Sequence, residues 1–417
     1  MKNLGGKLIF IISVVLFITA LTLVGVRAPA PAAAAAKPGI PPGAKIHIGT
    51  TIDVSGPLQA TETPIAHGVV DCFDYINKVD GGVRGVPIHL SWRDDGYSVA
   101  NAIAGFKNMK RQDTAVWLSF NSGAGEAMKQ MLARAKIPLL TLSASPGQIR
   151  PPGWIYFAGP PYPDEFAGVC KWIAENWKKK RRPVIGMITY DNPFGRGPER
   201  ARTFVEKEYG VKILDSQYLA WVPVDTTPAL LYVKKNNADF VWSNMCLETE
   251  GPMLKDAKRM GLTDKIQFIE YRAMWSRGIV PVAGDACEGL IGPSCYAETF
   301  DDVPEIARLK DAMKRFRGWD ELKEHGGYLW GWFMAQVAAK YCGIAIDKYG
   351  WPLNGEKVKK AFDTTGKVDM GGMVPYFTFN PEDPDERVGN YWERLYQIRN
   401  GKSGPITDWY ECPRTGK

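Results

Sequence analysis

The apolar positions of this chain change period repeatedly, from every second residue to every third or fourth and back. Residues 45–52 (KIHIGTTI) alternate as a strand and run into DVSGP at 53–57, a turn by composition. Residues 65–79 carry a helical stripe closed by Gly81 and Gly82. Residues 86–93 alternate as a strand, and 98–111 form an amphipathic helix. The stretch 115–145 then reads as strand, tight turn, helix and strand. Its apolar run at 116–120 stops at Asn121-Ser122-Gly123, and Met128, Met131, Leu132 and Ala135 make one stripe of the helix that follows. Pro138-Leu-Leu-Thr-Leu142 is the second strand, ending at Ser143-Ala144-Ser145. Strands alternating with helices at this rhythm predict an α/β fold with a parallel sheet covered on both faces.

Prolines 151, 152, 160, 161 and 163 interrupt the rhythm, which then starts again. Helices are expected at 166–179, 200–209, 228–236 and 251–260, and strands at 184–190, 211–221, 240–243 and 266–270. VIGMITYDNPFG echoes IHIGTTIDVSGP, so two similar lobes are expected rather than a short repeat. The last third is less regular: a strand at 288–294, helices at 305–316, 328–349 and 357–362, then strands at 377–379 and 391–398, the last turning at Asn400-Gly401. Such extra pieces fit a chain that crosses between the lobes and completes each in turn.

Length adds that 417 residues exceed one ordinary core and suffice for two domains. The N-terminus departs from the globular pattern. Lys2 and Lys7 precede an uninterrupted apolar run at 8–26, followed by Arg27 and an Ala/Pro tract at 28–36. This is the layout of a secretory signal with small-residue cleavage options, although the run is long enough to serve as an uncleaved membrane anchor. Leader at 1–36 and linker at 37–43 precede the first strand. No Leu-x-x-Cys follows the run, which argues against a lipid anchor. The formal charge is +7, and losing Lys2, Lys7 and Arg27 with the leader lowers it to about +4, too little to imply nucleic acid as a partner. The seven cysteines include no Cys-x-x-Cys pair. Cys72, Cys170 and Cys342 fall on apolar helix faces, while Cys287 and Cys295 flank a strand that would hold them about 25 Å apart.

Catalytic and metal-binding signatures are absent from the pattern. Four histidines lack His-x-x-x-His spacing, no Gly-x-Ser-x-Gly elbow surrounds Ser122, and Gly195-x-Gly197 lacks the third glycine of a dinucleotide loop. Asp94-Asp95 at a strand end reads as a turn and cap, so no enzyme, cofactor or metal is expected. The hydroxyl clusters are more suggestive. In a parallel sheet, Ser122 and the Ser143–Ser145 loop lie at the carboxyl ends of adjacent strands, where open α/β sheets bind ligands. Two readings stand: helix cap and ordinary loop, or a joint anion grip at a helix N-terminus. Charge-assisted hydrogen bonds of about 1.5–3 kcal/mol each would supply much of the roughly 8 kcal/mol of micromolar binding.

IHIGTTIDVSGP, then HGVVDCFDYINKVDGGVRGVPIHLSWRDDGYSVANAIAGFKNM, NSGAGEAM, KIPLLTLSAS, TYDNPFGRG, ADFVWSN and ACEGLIG together cover the chain beyond the leader. This series resembles the periplasmic leucine/isoleucine/valine-binding proteins of ABC importers. The resemblance implies a type I periplasmic-binding fold: two Rossmann-like α/β lobes joined by three crossover strands, with the ligand cleft between them. It implies one lobe from 44–160 and 293–371 and the other from 161–292 and 372–417. It also implies an exported monomer that closes on a small carboxylate solute and docks on membrane permease subunits; a membrane-tethered sensor of the same fold is the alternative. Carried over position by position, Ser122, Ser143, Ala144 and Ser145 would grip the ligand's carboxylate, and Phe194 and Tyr328 would supply aromatic walls. Amino-acid binders place an acid after the strand near Ile269, where this chain has Arg272, with Glu270 two residues before it. A second-lobe tyrosine falls near Cys246, with Glu248 close by. Arg272 suits a second carboxylate on an amino-free organic acid, or is a surface or hinge arginine; Trp275 beside it would add a flat wall.

Overall fold

The computed structural model describes residues 39–272, 278–322, 326–383 and 386–416, so the leader and Trp275 lie outside the described residues. The first five strands are β1 (Ile46–Ile52), β2 (Ile88–Asp94), β3 (Thr114–Ser119), β4 (Leu139–Thr141) and β5 (Ile155–Phe157). They form one parallel sheet in the order β2-β1-β3-β4-β5. Helices α1 (Gln59–Lys78), α2 (Val99–Met109) and α3 (Ser122–Ala135) alternate with these strands. One face buries Phe106, Trp117, Met128 and Leu132; Met131 and Ala135 sit half-buried at its rim. The other face carries α1 and, from the far end of the chain, α10 (Gly327–Tyr349).

The second sheet begins after α4 (Tyr162–Asn176) with β6 (Val184–Tyr190). Two short strands, β7 (Lys212–Ile213) and β8 (Gln217–Leu219), both pair with β6. They stand where one strand at 211–221 was expected; the intervening residues 214–216 separate the two pairings. β9 (Phe240–Asn244), β10 (Gln267–Glu270) and β11 (Ile291–Ser294) extend the sheet in parallel. β12 (Trp392–Arg399) and β13 (Lys402–Pro405) finish it as an antiparallel hairpin, and β14 (Tyr410–Glu411) pairs with β12. The hairpin turns through Asn400 and Gly401, both at positive φ, which suits an Asn-Gly pair. Helices α5 (Arg202–Glu208), α6 (Thr227–Lys235), α7 (Leu247–Arg259) and α8 (Ile279–Ala283) belong to this half of the chain.

The chain passes between the sheets three times: from β5 to α4, from β11 to α9 (Pro304–Arg317), and from α11 (Gly355–Thr364) to β12. The crossing segments lie side by side. Phe157 donates its N–H to the Arg387 carbonyl at 2.7 Å and accepts from the Gly389 N–H at 2.7 Å. The Asn390 amide reaches the Cys295 carbonyl at 2.7 Å. Phe377 and Phe379 do not form the expected strand; Phe377 makes an isolated bridge to Val368, and both rings pack on Tyr341 in an aromatic cluster. Residue 293, the expected lobe boundary, falls inside β11.

Helices α1 and α10 touch backbone to backbone. A Cβ on Gly68 would stand 2.0 Å from the Tyr328 carbonyl oxygen, and one on Gly331 2.0 Å from that of Ile65. Only hydrogen at both positions permits this approach, which holds α1 firmly beside the strand ends. All seven cysteines are buried and free, as the core reading of Cys72, Cys170 and Cys342 requires.

Candidate functional site

The carboxyl ends of the strands in the two sheets face each other across a narrow cavity lined by residues of both. The first lobe contributes Leu58, Thr61, Glu62 and Ile65 from α1 and its approach, with Tyr97, Phe120, Ser143 and Trp330. The second contributes Tyr162, Phe194, Cys246 and Tyr271. Tyr162, Phe194 and Tyr271 pack mutually edge to face at 5.2–5.4 Å, an arrangement that fixes aromatic walls.

One pole of the cavity lies at the start of α3. Asn121 takes the cap, accepting the Ala124 N–H at 3.0 Å, so the Ser122 hydroxyl is left for the Tyr162 hydroxyl at 2.9 Å. Ser143 donates its hydroxyl to the Phe120 carbonyl at 2.8 Å, leaving the oxygen's lone pairs in the cavity wall. The Ala144 carbonyl accepts the Tyr162 N–H at 3.2 Å, tying the first crossing to this loop. Ser145 turns the other way and donates to Glu126 at 2.6 Å.

The opposite pole is acidic. Glu62 accepts the Asp53 N–H at 2.8 Å. Asp53 is buried and accepts the backbone N–H groups of Ser55, Gly56 and Leu58. Glu248, at the start of α7 in the other lobe, accepts from the Thr61 N–H at 3.1 Å and the Thr61 hydroxyl at 2.9 Å. A carboxylate from one lobe thus meets the first turn of a helix in the other, where negative charge is favoured. Tyr97 and Trp221 add a second contact between lobes, with ring centres 5.1 Å apart. Burial pushes the Glu62 carboxyl well above the usual range, with the Asp95, Asp53 and Glu248 carboxylates adding to it. Burial likewise raises the Cys246 thiol and the Tyr97, Tyr162 and Tyr271 phenols. Burial thus disfavours charge along the cavity wall.

Of the residues expected from sequence, Ser143, Phe194 and Cys246 line the cavity and Ser122 stands behind Tyr162. Ala144 is in the adjoining backbone and Ser145 faces Glu126. Tyr328 is buried among core residues, its hydroxyl donating to Asp71 at 2.8 Å. Trp330, two residues on, faces the cavity instead. Two residues rotate a helix by about 200°, so a register error of that size exchanges its faces. Arg272 is not in the wall: its guanidinium donates to the Leu142 carbonyl at 2.9 Å, the Pro160 carbonyl at 3.1 Å and the Glu165 carboxylate. Its two terminal nitrogens are thus engaged beside the first crossing, while its buried Nε has no partner among the described residues. Glu270 does not line the cavity either; it is fully buried, with Glu250 the charge that most perturbs it. Reasoning from the sequence missed Glu62, Tyr97, Tyr162 and Tyr271. Tyr97 follows the Asp94-Asp95 turn and Tyr162 the prolines at the first crossing, both at strand ends, and that position was the available signal.

A family model described as "Periplasmic binding protein" matches residues 45–402. A Leu/Ile/Val/Thr-binding protein from Salmonella typhimurium is 26% identical over 151 residues, 36% of this chain and 40% of that protein. A branched-chain amino acid ABC transporter protein from Thermus thermophilus with bound valine superposes with a TM-score of 0.77 at 22% identity, over 88% of this chain and 96% of that one. A solute-binding protein of an ABC transporter from Rhodopseudomonas palustris BisB5, in complex with 3,4-dihydroxybenzoic acid, gives a TM-score of 0.73 at 15% identity, over 89% of this chain and 99% of that one. The two structural likenesses bear on the fold.

Proposed function

This chain belongs to the periplasmic binding protein family, an extracytoplasmic family of solute-binding proteins rather than enzymes, and from that premise we propose that it is the binding component of an ABC importer of the branched-chain amino acid type. It takes a small solute with one carboxylate and an apolar or aromatic body, closes its lobes on it about the three crossings, and as a monomer delivers it to the membrane permease. The observation that carries this reading is the cavity between the two sets of strand ends, aromatic along its length and bounded at one pole by the hydroxyls at the start of α3. The Ser122–Tyr162 hydroxyl pair is positioned for the carboxylate, since Ser122 can donate to Tyr162 and leave the phenol proton free, and the helix terminus favours its charge. The relatives with valine and with dihydroxybenzoic acid support a carboxylate without choosing between an amino acid and an amino-free acid.

A thermal-shift panel of apolar and aromatic carboxylates, each beside its primary amide, tests the reading. Carboxylates are expected to raise the melting midpoint by several degrees at millimolar concentration while the amides do not. Tyr162→Phe is expected to weaken the best carboxylate by about tenfold, one lost charge-assisted hydrogen bond. A panel in which amides stabilise as well as acids overturns it. Among the described residues no helix is long and apolar enough to cross a membrane; N-terminal sequencing of the mature protein decides whether the leader is removed or kept as a tether.

A further inference from the structure

Among the described residues that line the cavity, Glu62 is the only acid, and there is no lysine, arginine or histidine. It is 3% exposed, and the Asp53 N–H on one oxygen is its one hydrogen bond among the described residues. Its acidic neighbours are each provided for. Asp53 has three backbone N–H groups, Glu248 has Thr61, and Asp95 accepts the Tyr97 N–H at 2.9 Å. Glu62 alone keeps an oxygen for something that enters the cavity. A buried carboxyl with spare capacity carries a cost unless a donor completes it.

The acidic surroundings favour a cationic donor, which would hold the ionised form, over an acceptor for the protonated one. The groups that face Glu62 are Asp53 and Asp95 from the ends of β1 and β2, Glu248 and Cys246 from the start of α7, and Tyr97. None of them is basic. The position after β10, where the resemblance places an acid for an ammonium, holds Arg272, whose terminal nitrogens bond Pro160, Glu165 and Leu142 and which does not line the cavity. The one acid that lines the cavity comes from the opposite lobe, on α1.

We propose that Glu62 is the specificity residue for a cationic nitrogen, so that the solute is an amine-bearing carboxylate whose amine end lies on Glu62 and whose carboxylate end lies at the start of α3. This rests on the binding role given above and narrows its ligand. Glu62, Ser143 and Tyr162 line the same cavity. In the free protein, burial and the surrounding carboxylates raise the Glu62 carboxyl well above the usual range, which favours its protonated form. An arriving ammonium group stabilises the ionised form, so Glu62 gives its proton to solvent and an ion pair remains. Binding therefore releases one proton, and affinity rises with pH by up to about tenfold per unit while free Glu62 stays protonated.

Calorimetry on the mature chain tests this with L-leucine beside 4-methylpentanoate and 3-methylbutan-1-amine, and L-phenylalanine beside 3-phenylpropanoate and 2-phenylethylamine. Titrations at pH 6, 7 and 8 in buffers of different ionisation enthalpy count the protons. The wild type is expected to prefer an amino acid over its amino-free acid by at least about tenfold and to release close to one proton. In Glu62→Gln, checked for fold by circular dichroism, both the preference and the release are expected to vanish. Proton release in the wild type needs no variant, so its absence overturns the proposal even if Glu62→Gln fails to fold. A variant that keeps the amine preference, or a wild type that prefers the amino-free acids, also overturns it and leaves the carboxylate reading standing. Amines binding as tightly as the amino acids would sink the carboxylate reading while supporting Glu62.

Discussion

Arg272 holds a positive charge where there is no water. Its guanidinium is pushed further into the charged range by Glu165 against the cost of burial, and Glu393 lies 4.0 Å away. Burial raises the Glu165 carboxyl and Arg272 pulls it back; Glu393 is raised by burial and then by Glu165. One cation thus serves two acids, of which one stays protonated. Replacing Arg272 by methionine removes the guanidinium from Glu165 and from the Leu142 and Pro160 carbonyls, leaving Glu165 the backbone N–H of position 272 and Leu142 the Tyr271 hydroxyl. The expected loss is about 3–5 kcal/mol of stability, read by urea denaturation, and adding Glu165→Gln should recover part of it. The amine preference of the cavity should survive Arg272→Met if the protein is kept folded at low temperature. Arg272 stood out in the sequence because its charge breaks a pattern. Sequence spacing could place it at a strand end but could not show that Glu165, 107 residues away, had already claimed it.

At the scale of elements, α1 and α7 show what was legible and what was not. They were expected to begin at residues 65 and 251, just after one proline and just before another; both begin earlier, at Gln59 and Leu247, with Pro64 and Pro252 inside. Each proline is the sixth residue of its helix and removes an interior N–H, which is why it reads as a break from sequence. The misread first turn of α1 carries Thr61 and Glu62 into the cavity wall, and that of α7 carries Glu248, which bonds Thr61. The strands were easier, since 184–190 and 240–243 depend on continuous apolar runs that burial on both faces demands. The contact of α1 with α10 was hidden because glycine in a helix carries no periodic signal. Gly331→Ala should force the backbones apart and cost about 1–3 kcal/mol or more. A thermal melt with and without L-leucine checks this, and ligand should restore less of the midpoint than in wild type because α1 carries one pole of the site.

The whole molecule buries an unusual number of carboxyls whose protons are held tightly. Asp95 and Asp164 are each raised to about 6 by burial, and Glu62, Glu250, Glu270 and Glu393 are raised by burial as well. Unfolded, all would titrate near pH 4. Between that pH and their folded values the native chain binds more protons than the unfolded one, so stability falls as pH rises, by about 1.4 kcal/mol per pH unit for each proton involved. Asp113 and Asp239, held down by hydrogen bonds from Arg111 and Arg181 against a burial penalty, act oppositely and lose their contribution only as pH drops below the usual carboxylate range. The melting midpoint is therefore expected to be higher at pH 5 than at pH 8, as scanning calorimetry of the free protein would read it.

The three crossings also govern when the molecule can come into being. β11 ends at Ser294, and the strand that pairs with it, β12, starts at Trp392. The helix that packs on α1 begins at Gly327. Past β14, Thr415 closes on Asp164 at the head of α4, through its N–H at 2.8 Å and its hydroxyl at 2.6 Å. During synthesis neither half can therefore be finished first and left to wait, as successive independent domains can. Each needs sequence made long after its own first strands, and pairings at such separations form slowly. The chain stays unfinished, and open to being threaded elsewhere, until nearly all of it is present.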